Sequence, residues 1–303
     1  MMMCSLNTFL KCARLFYRSN LFLLFCLEIF ISSCNPLITG GVRKRDLKKD
    51  VELTTDYGTI VFRLYDNTPK HRNNFLKLVN RSFYDSLIFH RVINNFLIQT
   101  GDPDSKRTNT EASLGNGELP YLIPAEINSQ NFHKRGAVNA ARMGDLENPD
   151  QASSSTQFTF IQRKPLSDSL IDVGERRINY YRAYNAVVKK HENKKLVDRL
   201  RYLVDSGEKN DSISLLEEQL SELAKAEQTN MVPYKIPDAH RQVYKTSGGT
   251  PHLDQNYTVF GEVVKGMDVI DRIAAVETRK SDDRPVKDIR ILKVQLVKRK
   301  QYK

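Results

Sequence analysis

The chain has 303 residues, 40% of them hydrophobic and 27% charged, with 47 basic against 36 acidic residues and a formal net charge of +11. That balance excludes a wholly disordered chain and a polytopic membrane protein, and 14 Gly with 11 Pro exclude collagen-like or proline-rich architectures. The cysteines, Cys4, Cys12, Cys26 and Cys34, all precede residue 35, so the rest of the chain can hold no disulfide, cysteine zinc site or cysteine nucleophile.

Lys11, Arg14 and Arg18 give a basic start, and an apolar run from Leu21 to Ile31, interrupted by Glu28, follows. The run has the length of a signal-peptide hydrophobic region and is short for a bilayer span. It ends in Ile31-Ser32-Ser33-Cys34, which resembles the bacterial lipobox: an aliphatic residue, two small residues that fit a narrow peptidase cleft, and the cysteine that is lipidated. The resemblance implies a signal peptide over 1–33, a lipid anchor at Cys34 and a tether over 34–49. An uncleaved anchor with an incidental cysteine is the competing reading. The implied location is the cell envelope, lipid-anchored and facing the periplasm. Asn35 stands where some inner-membrane lipoproteins carry aspartate, which favours the outer membrane. Without residues 1–33 the net charge is still +9. The basic end of the tether reads as a solvated cluster, and no aromatic-and-basic motif supports a nucleic-acid partner.

From residue 51 the pattern becomes β-rich. Val51 to Thr54 and Ile60 to Leu64 flank the turn signal Asp56-Tyr57-Gly58. Thr68-Pro69 predicts an N-cap with proline in the first helical position, and Phe75, Leu78 and Val79 give that helix an apolar face. Short strand-like runs follow at Leu87 to Val92, Phe96 to Gln99, Ala137 to Ala141 and Gln157 to Ile161, then at Tyr257 to Phe260 and Ile289 to Val297. Met267, Ile270 and Ile273 mark a second helix before the last of them. Many short strands with two helices predict a mainly β fold, a barrel or sandwich with helical caps.

Residues 167–246 read as an α-helical insertion. Leu196, Leu200, Leu203 and Val204 form one amphipathic stripe, and Leu216, Leu220 and Leu223 form another. From Arg176 to Val204 there are nine basic and two acidic residues; from Asp205 to Glu227 there are two basic and seven acidic. The expectation is an antiparallel helical hairpin held by leucines, with charge selecting the pairing. It packs on its own body or, in a sharper reading, docks an envelope partner.

The chemistry lies in Phe89-His90-Arg91 followed by Phe96-Leu97-Ile98-Gln99-Thr100-Gly101-Asp102. This stretch resembles the cyclophilin signature, FHR then F-x-x-Q-x-G-D. Gly136 to Arg142, Thr156-Gln157-Phe158 and His252-Leu253-Asp254-Gln255-Asn256-Tyr257-Thr258-Val259-Phe260-Gly261 resemble further cyclophilin segments in the same order. The resemblance covers 50–166 and 247–300, everything after the tether except the insertion. It implies a closed antiparallel eight-stranded barrel capped by two helices, and peptidyl-prolyl cis–trans isomerase activity on proline-containing polypeptides without cofactor or metal. By match to the motifs, Arg91 is the donor to the twisting amide, with Gln99 and Gln157 holding the guanidinium and the substrate backbone. Phe96, Leu97 and Leu253 line the proline pocket. Ala141 and Arg142 offer main-chain groups to an extended peptide, Tyr257 closes one side, and His252 sits at the rim. The six histidines show no metal-ligand spacing.

Two departures stand out. Thr159 replaces the family's usual second aromatic after Gln157-Phe158, and Ser155 stands where glycine is common. On a strand Gln157 and Thr159 share a face, so a wider, more polar pocket is expected. The alternative function is a catalytically weak, cyclophilin-like peptide-binding chaperone or scaffold lipoprotein.

Overall fold

The computed structural model describes residues 37–38, 42–107, 113–207 and 211–302. Cys34 and the apolar segment before it lie outside the described residues. The chain divides into two units, Met1–Leu47 and Lys48–Lys303. In the first, Leu37–Ile38 pairs antiparallel with Val42–Arg43.

In the second unit eight strands form one antiparallel sheet. They are β1 (Lys49–Thr55), β2 (Gly58–Leu64), β3 (Arg91–Ile93), β4 (Leu97–Thr100), β5 (Ala137–Ala140), β6 (Phe158–Ile161), β7 (Val259–Lys265) and β8 (Ile291–Lys298). Their spatial order is β8-β1-β2-β7-β5-β6-β4-β3. The first hairpin turns at Asp56-Tyr57, where the Thr55 hydroxyl donates to the Gly58 carbonyl and accepts from the Tyr57 amide.

The expected closed barrel is corrected: the sheet is an open, curled half-barrel with β8 and β3 at its edges. Closure would need a ladder between those two strands. The three-residue β3 instead has its Val92 amide donating to the Asp283 carbonyl at 2.8 Å, so a loop covers that edge. The chain before β3 meets the start of β8 and the chain before it through one isolated bridge, Ile88 opposite Arg290, and through three backbone hydrogen bonds, from the Ser86, Phe89 and Ile291 amides to the carbonyls of Ile291, Ile289 and Leu87.

Two helices cap the sheet. α1 (Pro69–Val79) buries Phe75, Leu76, Leu78 and Val79. Its start lies where expected, with Thr68 at the N-cap and Pro69 first in the helix, but the Thr68 side chain makes no cap hydrogen bond. The Glu126 carboxylate accepts from the Lys70 and His71 amides at 3.0 Å each, satisfying two orphan donors from far along the chain. The second cap, α6 (Met267–Ala274), buries Val269, Ile270, Ile273 and Ala274. Inside the curl, Phe62, Phe75, Tyr84, Phe158, Phe160 and Phe260 form a ring cluster with centroids 4.6–6.3 Å apart, the offset and edge-to-face spacing that aromatic pairs favour.

Among the described residues the insertion has four α-helices where a hairpin is expected: α2 (Asp168–Lys189), α3 (Lys194–Asp205), α4 (Asp211–Asn230) and α5 (Asp238–Thr246). The basic arm breaks at Lys190, whose ψ of 131° is extended, and a short 3-10 turn restarts it. α4 packs on α2 and α3 through Val187, Val188, Val197, Leu200 and Leu220. The second stripe is turned from its expected position, with Leu220 and Ala224 buried and Leu223 exposed. Among the described residues, Lys190 with Glu227 is the one ion pair joining the basic arm to the acidic one. Apolar packing therefore carries the pairing, as expected where surface ion pairs contribute only about 0–1 kcal/mol.

Candidate active site

Strand register builds the site. Arg91 on β3 lies opposite Gln99 on β4, Gln99 opposite Thr159 on β6, Thr159 opposite Asn139 on β5, and Asn139 opposite Val259 on β7. Directly opposed residues share a face, so these five make a row across the sheet, while Phe158 and Phe160 point to the aromatic core. One step along the strands, Leu97 pairs with Ile161. Leu97, Ala137, Ile161 and Val259 form an apolar floor against which Phe96, Leu253 and Tyr65 pack. The His252 ring stacks on Phe96 at 5.7 Å. The structure thus brings Phe96, Leu97, Leu253 and His252 together as one apolar group beside the polar row.

The glutamines are fixed from behind. Gln99 Nε2 donates to Gln157 Oε1 at 3.0 Å, and Gln157 Nε2 donates to the carbonyls of Gly115 and Gly117 at 2.9 and 2.8 Å. Their approach depends on Gly101, where φ is +105° and a Cβ would lie 2.2 Å from the Thr156 carbonyl oxygen. The buried Asp102 carboxylate accepts from the amides of Asp104, Gly115 and Gly117. Asp102 and Gln157 therefore hold the same short loop from two sides. Gln99, Gln157, Ala141 and Arg142 line an adjoining cleft of about 350 Å³.

Residues 50–216 and 222–296 match the family model described as Cyclophilin type peptidyl-prolyl cis-trans isomerase/CLD. The chain belongs to this family. It is 25% identical over 255 residues to a Staphylococcus haemolyticus protein that carries the provisional name of peptidyl-prolyl cis-trans isomerase, a match covering 84% of this chain and 93% of that one. A Staphylococcus saprophyticus protein with the same provisional name is 25% identical over 265 residues, covering 86% of this chain and 98% of its own. Among solved structures, a Cryptosporidium parvum cyclophilin type peptidyl-prolyl cis-trans isomerase is similar at 18% identity and a TM-score of 0.46, covering 83% of this chain and 99% of that one.

Several site residues of this cyclophilin sit differently from the expectation. Among the described residues no hydrogen bond joins Arg91 to either glutamine. Its Nε instead lies 3.5 Å from Asp283 Oδ2, and both side chains are about 40% exposed, at 41% and 42%. The Ala141 main chain is already engaged within the protein, its amide donating to the Gln157 carbonyl and its carbonyl accepting from the Ser154 amide, so its amide is not free for a peptide. For Arg142, where a main-chain role is expected, the side chain is a strut: 4% exposed, it pairs with Asp145, donates to the Asn256 carbonyl at 2.7 Å and lies 4.6 Å over the Tyr257 ring. Tyr257 is held there with its phenol pKa raised, chiefly by burial. The Thr159 hydroxyl donates to Asn139 Oδ1 and is buried, so the middle of the row is a polar pair that satisfies itself. Burial foremost, then the charges of Arg177, His133 and Arg163, pushes His252 down to about 4. Burial likewise pushes His90 down to about 4. Both imidazoles are neutral at pH 7.

Asp283, Asp102 and Asn139 were not singled out from the sequence. Asp102 had a signal in the Gln-x-Gly-Asp run. Asn139 had one in its strand parity with Ala141, while Asp283 comes from a distant loop with no local pattern.

Proposed function

We propose that this cyclophilin isomerises X-Pro bonds of exported polypeptides at the cell envelope, assisting their folding, with Arg91 as the donor that stabilises the twisted amide. The uncatalysed rotation faces a barrier of about 18–20 kcal/mol and takes tens to hundreds of seconds or so. No bond is cleaved, so the site needs a pocket for the proline ring and a donor for the charge that localises on the prolyl nitrogen or adjacent carbonyl as resonance is lost. The observation that carries the reading is one juxtaposition. A half-exposed guanidinium stands at the end of a polar row, beside an apolar floor of Phe96, Leu97 and Leu253. Arginine suits the task because its charge is permanent and its donors are fixed in a plane.

Thr159 bonded to Asn139 favours a second reading, a peptide binder with weak catalysis, because an aromatic wall is replaced by a polar pair. Exchange spectroscopy on an Ala-Pro peptide separates the two. The first predicts cis–trans exchange accelerated at catalytic protein concentrations. Peptide binding without acceleration would favour the second. Location is tested independently: Cys34→Ala should release the protein from envelope membranes or leave it uncleaved, and unchanged mature mass and fractionation would count against the anchor.

A further inference from the structure

The helical insertion meets the segment that walls the apolar pocket at two buried points. The first is Tyr244 on α5. Its side chain is fully buried, and its hydroxyl donates to Asp254 Oδ2 at 2.6 Å. The other oxygen, Oδ1, lies 2.9 Å from the His133 amide and 2.8 Å from His133 Nδ1. Asp254 is 1% exposed, so each donor to its carboxylate matters, because a buried charged group left unpaired is costly. Asp254 follows Leu253 and His252 directly, the residues that pack on Phe96 and Leu97. The second point is Gly174 on α2. A Cβ there would lie 2.8 Å from Pro251 Cγ and 3.4 Å from the His252 amide nitrogen. The helix approaches the wall closely because this position has no side chain. The Leu166 amide donates to the Tyr244 carbonyl at 3.0 Å, which ties the entry of the insertion to its exit beside the same wall.

We infer that the insertion sets the position of the pocket wall, with Tyr244 and Gly174 as positioning residues for proline-peptide binding. The inference rests on the reading of the site given above. Tyr244→Phe removes one donor from a buried carboxylate, and the cheapest relief is a tilt of residues 252–257 that lets Asp254 find another partner. Gly174→Ala pushes the same wall from the other helix without touching the carboxylate. Neither change reaches Arg91, so the consequence falls on binding rather than on the amide twist.

The test compares Tyr244→Phe and Gly174→Ala with Ile178→Ala. Ile178 is buried in the same cluster as Tyr244 and is not part of the wall. KM and kcat are measured on an Ala-Pro peptide well below each melting temperature, and backbone amide shifts are recorded without peptide. Both positioning variants should raise KM by roughly three- to tenfold with kcat within about twofold, the pattern of lost ground-state binding. The amides of Leu253 and Tyr257 should move with them. Ile178→Ala should lower the melting temperature at least as far while leaving KM and those amides at wild-type values. Equal KM changes in all three variants would overturn the inference, as would unmoved Leu253 and Tyr257 amides in folded Tyr244→Phe and Gly174→Ala. Failure of the site reading looks different: wild-type protein would be inactive on the peptide, and the amide shifts, read without substrate, would still decide whether the insertion positions the wall.

Discussion

The two faces of β6 show how one strand divides its work. Phe158 and Phe160 enter a cluster of rings, whereas Gln157 and Thr159 on the other face bond to Gln99, to loop carbonyls and to Asn139. All four side chains are buried, so burial does not distinguish them; their partners do. A ring cluster stabilises without direction, in proportion to the apolar area withdrawn from water. A polar row must be fully paired to be tolerated, and Arg91, its side chain 41% exposed, is available to a ligand.

The division is sharpest when one face is emptied. Phe160→Ala should cost about 3–5 kcal/mol of folding stability in chemical denaturation, the range for large aromatic truncations in a core. The folded fraction should keep its kcat/KM. A parallel collapse of kcat/KM in the folded protein would mean that the two faces are coupled.

Proton linkage gives the next effect. His90 and His252 titrate near 4 in the folded chain and near 6.5 or so when unfolded. Between those values the unfolded state binds more protons, so stability rises with pH across that window and is flat, for these groups, above it. Denaturation midpoints should fall as pH drops from about 6.5 to about 4, and His252→Asn should remove its share of that slope. Midpoints independent of pH across the window would contradict imidazoles held neutral by the fold.

The smallest expected effect lies within the polar row. Thr159→Phe alone restores an aromatic wall but strands Asn139 Oδ1, at a cost of about 1–3 kcal/mol. Adding Asn139→Ala should recover that stability. The double variant should then bind proline peptides more tightly than wild type in a titration, and equal or weaker binding would mean that Thr159 does not leave the pocket under-walled.

Much of the polar row was legible because motif spacing and strand parity are local. Arg91, Gln99, Gln157 and Thr159 fall where period-two alternation puts them, and Thr68-Pro69 correctly opens α1. What escaped depends on partners far along the chain. Glu126 caps α1 from more than 50 residues away, with separations of 56 and 55. Asp283 engages Arg91 and also covers the edge that would otherwise close the sheet. Ala141 carries a motif-compatible backbone, yet its amide already donates to Gln157 and its carbonyl accepts from Ser154. In the insertion, the 3.6-residue period located helices but not the break at Lys190, where no Gly or Pro marks the chain.

The most direct measurement is kcat/KM on an X-Pro peptide for wild type, Arg91→Ala and Arg91→Lys, with melting temperatures recorded on the same samples. The Arg91–Asp283 pair is long and exposed, at 3.5 Å with both side chains over 40% accessible, so its loss should cost only about 0–1 kcal/mol of stability. Catalysis should instead fall roughly a hundred- to thousandfold, the scale of losing one preorganised donor, and lysine should restore little because it lacks the planar fork. Activity retained in Arg91→Ala, at an unchanged melting temperature, would contradict the assignment of the polar row as the isomerase site.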